Sequence, residues 1–243
     1  MKLKCLGSGS QQGNCYLLST ETETLILDCG IPIMEIKKGL NFDISSVAGI
    51  VVTHSHKDHS LAVRDFDRMG FGMSLNTPFW GRETVFLKRG SEFQVKSFPL
   101  TDKDNRWMHT NADGSECPCY GFLITHPDLG RMLYITDTEL VKWRFKDINH
   151  ILISCNYQKK YIDDENLAKR NHVFRGHMEL ETVKEFIKAN NSDSLQNIIL
   201  CHLSSENINP LEALEEVKTV VKCPVYLAKK GMEIDLKDND CPF

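Results

Sequence analysis

The chain has 243 residues, a formal net charge of −4, 41% hydrophobic residues and 26% charged residues. These values are ordinary for a globular protein and exclude a general electrostatic attraction to nucleic acid or acidic lipid. No apolar run approaches the ~18 residues that a membrane-spanning helix needs, and the start of the chain has no signal-peptide pattern. We therefore expect one cytoplasmic domain over residues 1–243, with no membrane partner and with its nine cysteines reduced.

The first part of the chain is predicted to form strands separated by polar turns. Apolar residues alternate or run together over residues 1–6, 15–19 and 24–28, which predicts a strand in each. The loop of residues 7–14 is rich in glycine, so it either brings backbone N–H groups close to an anion or forms an ordinary turn. Residues 31–46 are predicted to be a helix or a loop that leads to the next strand.

Four potential metal ligands follow that strand, which the apolar run Val47–Thr53 predicts. They lie within six residues and are His54, His56, Asp58 and His59. A tight turn from the strand into a helix can spread them around two points about 3.5–4 Å apart, the spacing of two-metal hydrolytic sites. Imidazoles suit zinc, iron or manganese, and the carboxylate adds charge for a second cation. Solvated loop residues are the alternative, which three histidines at this density disfavour.

The elements after this motif are predicted to be short. Ala62, Phe66 and Met69 recur at helical spacing, so a weakly amphipathic helix is expected to follow the motif. Further short strands or elements are predicted at residues 73–75, 84–88, 93–100 and 119–124.

The polar stretch Thr101–Glu116 lies between the last two of these strands and contains His109. It is long for a simple connection, which predicts an active-site loop. Cys117 and Cys119 follow directly, and this pair could hold a metal or form a redox disulfide. Packing thiols are favoured, because no second cysteine pair has the spacing of a zinc site.

Two apolar strands predicted in the second half end at potential ligands. Residues 132–136 run into Asp137, and residues 197–201 run into His202. A carboxylate at the end of a strand can hold a second metal and bridge two ions. The alternative for Asp137 is the N-cap of a helix that begins at Glu139. Other strands are predicted at residues 148–155, 224–227 and 232–236, and a last helix at Pro210.

Basic residues recur just before another candidate site residue. They are Lys159, Lys160, Lys169, Arg170 and Arg175. Such a run is either a solvated face or a surface for a polyanionic substrate. It precedes His177, which is predicted to stand at the start of a helix that reaches about Ala189.

The chain resembles the metallo-β-lactamase-fold hydrolases from about residue 3 to residue 236. The motif His-x-His-x-Asp-His carries the resemblance, together with the segments GSGSQQGNCYLL, LILDCG, YITDT, GHMELE and HLSSEN. The first two segments look like the YycJ-like (WalJ-like) branch, which is related to ribonuclease Z. The resemblance implies an α/β fold, the αβ/βα four-layer sandwich, in which two facing mixed β-sheets carry helices on their outer faces.

The resemblance also implies which residues bind metal. One divalent ion would be held by His54, His56 and His109, the other by Asp58, His59 and His202, and Asp137 would bridge them. His109 lies farther from the following strand than in the family pattern, which implies an insertion and leaves His126 as the rival third ligand. Asp28 would support the motif from behind.

Asp58 and His177 are the catalytic residues that the resemblance implies. His177 is at a position similar to the proton donor of ribonuclease Z, and a structural histidine at a helix end is the alternative. The implied activity is hydrolysis of phosphodiester bonds, as a nuclease, in which two divalent ions, zinc or alternatively manganese, share a water and supply hydroxide. A cyclic-nucleotide phosphodiesterase of the same fold is the alternative, and a thioesterase-like hydrolase or a non-catalytic metal-binding protein is more remote.

The expected partner is a nucleic acid or nucleotide substrate, and a homodimer stays open. His56 argues against flavodiiron enzymes, which resemble this chain but use Glu at that position, and His59 argues against class B β-lactamases. The three remaining histidines, His126, His150 and His172, have no motif context and are expected to be structural or surface residues.

Overall fold

The structure is a computed structural model that describes residues 1–81, 84–162, 174 and 176–236. The strands among these residues are β1 (Lys2–Gly7), β2 (Cys15–Ser19), β3 (Thr24–Leu27), β4 (Val47–Val51), β5 (Leu75–Asn76), β6 (Gln94–Pro99), β7 (His109–Thr110), β8 (Glu116–Cys117), β9 (Tyr120–His126), β10 (Gly130–Ile135), β11 (His150–Ser154), β12 (Asn197–Cys201), β13 (Val225–Leu227) and β14 (Glu233–Asp235). The α-helices are α1 (Ile33–Gly39), α2 (Lys57–Ser60), α3 (Val63–Phe66), α4 (Leu180–Asn190) and α5 (Pro210–Lys218). Single helical turns lie at Ile44–Ser46, Asp67–Phe71, Pro78–Trp80 and Lys159–Tyr161.

The strands form two six-stranded mixed sheets and one small hairpin. The first sheet has the order β14-β1-β2-β3-β4-β5, and its last three strands are parallel. The second sheet has the order β13-β12-β11-β10-β9-β6, and its strands β10 to β13 are parallel. Strands β7 and β8 pair only with each other among the described residues. Parallel strands need crossover connections, which place helices on the outer faces of both sheets.

One of the main apolar clusters lies between the two sheets. Leu3, Leu18 and Leu25 of the first sheet contact the same cluster as Phe122 and Leu152 of the second, and all five are fully buried. Alternate residues of a strand point to opposite faces, so the other side chains of these strands serve the outer layers.

Helices cover the outer faces of both sheets. Ile36 of α1 and Phe66 of α3 pack with Ile50 on the outer face of the first sheet. Ile187 of α4 and Val217 of α5 belong to the cluster on the outer face of the second sheet. These layers confirm the predicted four-layer sandwich of two facing mixed sheets. Among the described residues, no helix combines the length and the apolar character that crossing a bilayer requires.

The predicted helix after the motif is shorter than its apolar spacing suggested. It is divided into α2 and α3, and the turn after α3 contains Gly70 with a φ of 89°, outside the helical region. The prediction of a short element at residues 84–88 is wrong, because these residues form neither a helix nor a strand. The Asn76 side chain instead accepts from the Phe86 N–H at 2.7 Å and donates to the Phe86 carbonyl at 2.9 Å, so a side chain replaces a strand partner.

The helix predicted from His177 begins three residues later, at Leu180. Glu179 is its N-cap, because its side chain accepts a hydrogen bond from the N–H of Glu181. His177 therefore lies in the loop before α4. No helix begins at Glu139, so the alternative interpretation of Asp137 as a helix N-cap is wrong.

Candidate metal centre

Most of the candidate ligands follow the carboxyl ends of parallel strands. The His-x-His-x-Asp-His motif follows β4, Asp137 follows β10 and His202 follows β12. The carboxyl ends of parallel strands meet at one edge of a sheet, and such an edge is a common place for a site in α/β proteins. His109 comes from the long polar loop, where it begins β7. Both sheets and one loop thus contribute side chains to the same edge of the sandwich.

The first set of potential ligands consists of His54, His56 and His109, which we call the three-histidine group. One ring nitrogen of each lies within 4.8 Å of the others. The Nδ1 atom of His56 and the Nε2 atom of His109 are 3.0 Å apart. His54 and His109 are buried, whereas His56 is half-buried.

The second set, which we call the mixed group, consists of Asp58, His59, Asp137 and His202. One ligand atom of each lies within 4.8 Å of the others. The Nε2 atom of His59 is 3.0 Å from Asp137 Oδ2 and 3.4 Å from Asp58 Oδ2. The Nε2 atom of His202 is also 3.4 Å from Asp58 Oδ2. Only Asp58 is partly open to solvent, with 22% of its side chain exposed.

Asp137 faces both groups. Its Oδ2 atom lies 3.0 Å from His59 Nε2 and 3.5 Å from His202 Nε2. The same oxygen lies 3.5 Å from Nε2 of His54, which belongs to the three-histidine group. The structure therefore brings the seven predicted ligands together, with one carboxylate oxygen between the two sets.

Hydrogen bonds orient the rings of the three-histidine group. The Nε2 atom of His56 lies 3.1 Å from the Asn111 side-chain oxygen, and Nδ1 of His109 lies 3.2 Å from the carbonyl of Gly176. Both oxygens are acceptors, so these two nitrogens carry the hydrogen and donate it. The opposite nitrogens are the two atoms that face each other, where a bound cation could accept both of their lone pairs.

Asp28 supports the motif from behind the mixed group. Its carboxylate is fully buried and accepts from the Thr53 N–H at 2.7 Å, from the Thr53 hydroxyl, and from the hydroxyl of Tyr134. It also accepts from His59 Nδ1 at 2.6 Å. The Thr53 hydroxyl in turn accepts from His54 Nδ1 at 3.1 Å. One carboxylate thus sets the orientation of two rings, a role that is typical behind metal-binding histidines.

Burial keeps two rings of the three-histidine group neutral. It lowers the pKa of His54 well below its usual value, and the neighbouring histidines lower it further. Burial likewise lowers the pKa of His109 to about 3. His56 differs, because its contact with Cys117 raises its pKa. Neutral imidazoles are the form that binds metal.

Opposite charges control the mixed group. Burial alone would lower the pKa of His59, but the charges of Asp28 and Asp137 outweigh it and raise the pKa well above its usual value. His202 shows the same balance, in which Asp137 and Asp58 raise the pKa against the effect of burial. The two carboxylates remain ionised, because their histidine neighbours lower their pKa values against the desolvation that raises them.

The donor set fits divalent cations. The Nε2 atoms of His54 and His202 are buried, and neither has a hydrogen-bond partner among the described residues. A buried polar atom without a partner is costly, and one metal ion in each group would satisfy the nitrogen that belongs to it. Imidazoles and carboxylates together suit zinc or manganese. This orphaned pair of nitrogens, rather than the number of ligands, is the strongest physical sign of a metal centre.

Three residues of the site have a left-handed backbone. Asp28, Asp137 and His202 have φ angles of 55°, 43° and 50°. Asp28 and His202 directly follow a strand, and Asp137 lies two residues after the end of β10. Non-glycine residues adopt this conformation at a cost of order 1–3 kcal/mol, and they concentrate at functional sites. The turn redirects each side chain from the strand end into the cluster.

His177 lies beside the cluster rather than in it. Its ring centroid is 5.9 Å from that of His109 and 6.3 Å from that of His202. It belongs to neither group of potential ligands. This position leaves the ring half-buried at the rim of the centre.

The glycine-rich loop of residues 7–14 braces the mixed group. Ser8 Oγ accepts from the backbone N–H of His202 at 3.0 Å, and the N–H of Asn14 donates to the Asp58 carbonyl at 2.7 Å. The N–H of Gly9 donates to the Asn14 side chain. These N–H groups are used within the protein, so the interpretation of the loop as an anion cradle receives no support from them.

Sequence reasoning missed several residues that hold the ligands in place. They are Ser8, Asn14, Asn111, Asn156 and Gly176. Asn14 lies within a segment that carries the family resemblance, so that segment was its available signal. Asn111 and Gly176 contact His56 and His109 across the chain, and no spacing in the sequence indicates such pairs.

The remaining predicted residues lie away from the two groups. His126 is buried at the far end of β9, where its Nε2 atom is 3.4 Å from Glu23, so it does not replace His109. His150 begins β11, at the end of that strand opposite the centre. Cys117 and Cys119 are free and buried, and Cys119 Sγ lies 3.8 Å from His54 Nδ1. They pack behind the histidines and join neither group.

The described residues include only part of the predicted basic surface. Lys169, Arg170, Arg175 and His172 lie outside the described residues. Lys160 is placed, and its ammonium group forms a 2.6 Å ion pair with Glu212. Its positive charge is therefore already offset within the protein.

Comparison with known proteins gives one family match. Residues 9–69 match the family model described as the metallo-beta-lactamase superfamily. No curated protein matches the chain.

Solved structures match over almost the whole chain. The metallo-beta-lactamase fold protein YhfI from Bacillus subtilis is 15% identical with a TM-score of 0.63, covering 96% of this chain and 99% of that chain. The short form of human tRNase Z is 16% identical with a TM-score of 0.58, covering 98% of this chain and 100% of that chain. A diphosphatase from the PhnP family is 14% identical with a TM-score of 0.56, covering 96% of each chain.

Proposed function

We propose that this chain, which has the metallo-β-lactamase fold, hydrolyses phosphodiester bonds of nucleic acids or nucleotides with two divalent ions, zinc or manganese. The observation that carries the proposal is the position of Asp137. One of its oxygens lies within 3.5 Å of a ring nitrogen from each group of potential ligands. A tRNase and a diphosphatase among the structural neighbours agree with a substrate that contains phosphate.

The three-histidine group would hold one ion and the mixed group the other, with Asp137 shared between them. Two bound cations would supply positive charge at the attacked phosphate and acidify a water molecule. The lone pairs of His54, His56 and His109 already point to one place, because hydrogen bonds to their opposite nitrogens hold the rings.

Asp58 is the member of the mixed group best placed to accept a proton. Its side chain is the one that solvent reaches, and interactions with His202 and His59 keep it ionised. His177 would donate a proton to the leaving oxygen from the rim of the centre. General acid–base catalysis of this kind contributes typically ~10²–10⁴-fold to the rate.

Two variants test these roles. Asp58→Asn is expected to lower turnover by roughly 100-fold or more, because a general base and a ligand are both impaired. His177→Ala is expected to lower turnover by a similar factor while the metal content stays unchanged. Asp65→Asn, on the neighbouring helix, serves as the control with a partly exposed carboxylate. Loss of an ion in His177→Ala would assign it as a ligand and contradict the proton-donor role.

A salt series distinguishes a nuclease from a phosphodiesterase of small cyclic nucleotides. Long nucleic acids bind through many phosphates, so their affinity falls steeply as salt rises. Turnover of short DNA, short RNA and cyclic mononucleotides would be measured with the metal-loaded protein. Cleavage of DNA or RNA that weakens steeply with salt supports the nuclease.

The alternative is a small cyclic nucleotide, which makes few phosphate contacts and should show little dependence on salt. Salt-insensitive hydrolysis of cyclic nucleotides, without cleavage of DNA or RNA, would make the protein a cyclic-nucleotide phosphodiesterase. Absence of hydrolysis with both ions bound would contradict the proposed function in either form.

A further inference from the structure

A cavity of about 600 Å³ opens beside His177. It lies between the segment of residues 139–144 and helix α4, and the ring of His177 forms part of its wall. The same ring is 5.9 Å from His109, measured between centroids. One side chain therefore touches both the cavity and the rim of the candidate metal centre. We call this space the Trp143 cavity.

Trp143 gives the cavity an exposed aromatic surface that is held in place. Its side chain is 43% exposed, which is unusual for a large hydrophobic residue. The indole N–H donates to the Pro99 carbonyl at 3.3 Å, and the Lys142 ammonium lies 5.1 Å from the ring centroid. Tyr157, a buried aromatic residue, also lines the cavity. An exposed ring with a restrained orientation is suited to stacking on a flat group.

The segment that carries Trp143 is anchored on both sides. The Lys142 ammonium donates to Thr101 Oγ1 at 2.8 Å and to Asn105 Oδ1 at 2.9 Å. The backbone N–H of Phe145 donates to the Asn190 side chain at 2.7 Å, which ties the segment to α4. The wall of the cavity is thus built before any ligand arrives, so little ordering cost opposes binding.

The charges around the cavity do not favour a phosphate. Its described lining contains two acidic residues, Glu139 and Glu185, and two basic residues, Lys142 and Arg144. Lys142 is already engaged by the oxygens of its neighbours. Equal numbers of charges of each sign give no accumulated positive field, so an uncharged ring with polar edges fits better than a phosphoryl group. A volume of this size is in the ordinary range for a small-ligand pocket.

We propose that the Trp143 cavity binds the nucleobase of the nucleoside on the leaving side of the scissile phosphodiester, by stacking on Trp143. This inference rests on the proposed function, because it places the leaving oxygen next to the proton donor His177. The base would lie in the cavity while the phosphate reaches the metal centre. The bound base would thereby add affinity for the nucleoside on the leaving side, to a similar degree in the ground state and in the transition state.

The binding test separates the base from the phosphate. Isothermal titration calorimetry of the metal-loaded protein would measure the affinity for adenosine 5′-monophosphate and for ribose 5-phosphate, which lacks a base. Trp143→Ala is expected to weaken the binding of the monophosphate by roughly 5- to 150-fold, the range for loss of one stacked base. Trp143→Phe should recover most of the affinity, and ribose 5-phosphate should bind all variants alike.

Trp107→Ala is the matched control, because Trp107 lines a separate cavity together with Tyr120. Unchanged affinity in Trp107→Ala, with the loss in Trp143→Ala, supports the proposal. Equal affinity of the wild type and Trp143→Ala for the monophosphate would overturn it, as would an equal loss of affinity for ribose 5-phosphate.

Turnover provides a second, independent measurement. With a dinucleotide substrate, Trp143→Ala should raise KM by a factor within the same range and leave kcat within about twofold. A fall in kcat alone would overturn the stacking role. The proposed function can fail separately: base binding that depends on Trp143 in a protein without hydrolysis would contradict the activity but support the cavity.

Discussion

The two groups of potential ligands lie at the same edge of the sandwich but differ in charge. The three-histidine group contains no carboxylate of its own, and burial keeps His54 and His109 neutral. The mixed group contains two ionised carboxylates, which raise the pKa values of His59 and His202. An ion entering the first group meets two neutral imidazoles, those of His54 and His109. An ion entering the second must displace protons from His59 and His202.

Because of this difference, the two groups of potential ligands should differ in their affinity for cations and in how that affinity depends on pH. Burial suppresses protonation where only imidazoles are present, while carboxylates attract both protons and metal ions where they are present. Asp137 joins the two places through a single oxygen. The comparison therefore predicts which residue matters to both ions, which residues matter to one, and which ion is lost first in acid.

The largest effect is expected from removing the shared carboxylate. Asp137→Asn should lower the bound metal below two ions per chain and reduce hydrolysis by at least about 100-fold, since loss of a supporting residue alone typically costs 10–100-fold. Metal content by mass spectrometry and turnover on a phosphodiester would be measured together. Retention of both ions at wild-type affinity would refute the bridging position.

Single-ligand variants should separate the groups. His109→Ala is expected to lose the ion of the three-histidine group, and His202→Ala the ion of the mixed group, leaving one ion per chain in each. Cobalt substitution would distinguish them by absorption, because the remaining ligands differ. Asp65→Asn is the control, since this residue of α3 belongs to none of the groups of potential ligands among the described residues. Two bound ions and full activity in His109→Ala would show that a residue other than His109 is the third ligand.

Acid should empty the mixed group first. The raised pKa values of His59 and His202 mean that these rings hold protons at a pH where His54 and His109 are neutral. Metal affinity at the mixed group is therefore full above those raised pKa values and falls as the pH drops through them. The pKa of His109, about 3, lies far below that range.

Dialysis against limited zinc from about pH 8 to about pH 5, followed by metal analysis, would show the order of loss. In the three-histidine group only His56 has a raised pKa, so the decline there should be shallower. Simultaneous loss of both ions, with the same slope, would show that the electrostatic difference between the groups does not control occupancy.

The sequence predicts the mixed group better than the three-histidine group. Asp137 and His202 lie within two residues of the ends of strands rich in apolar residues, so their position at a sheet edge can be derived from strand ends alone. His109 instead begins a strand of two residues, which is too short for any periodicity. Its placement depends on a hydrogen bond to Gly176, and that residue is 67 positions away.

Local sequence patterns predict the fold with the same limit, since they do not indicate contacts between distant residues. Contiguous apolar runs predict the buried strands and hence both sheets, because burial and chain pattern agree there. Side-chain hydrogen bonds decide the exceptions. Asn76 replaces a strand partner for Phe86, and Glu179 sets the start of α4 after His177. Such pairings depend on tertiary contacts that a local pattern does not contain.

The smallest and most local effect is expected at Gly176, which fixes one ring of the three-histidine group. Its φ angle is 83°, and a Cβ atom there would lie 2.2 Å from Nδ1 of His109. Gly176→Ala should therefore displace that ring and weaken the first ion, while the mixed group keeps its own. Gly114→Ala is the matched control, because Gly114 has a φ of 82° and nothing lies within 4 Å of the added atom.

Both alanines carry the same backbone strain of roughly 1–2 kcal/mol, and Gly176→Ala adds the cost of displacing His109. The unfolding temperature of the metal-free protein should therefore fall in both variants, and further in Gly176→Ala. Only Gly176→Ala should lower zinc affinity at the three-histidine group, by about 10–100-fold, the usual range when the support of a ligating histidine is disturbed. Titration of cobalt into the two proteins would measure it. Equal affinity in both would show that His109 tolerates the displacement or that it does not hold the ion. A drop confined to the mixed group would reverse the assignment of the two places.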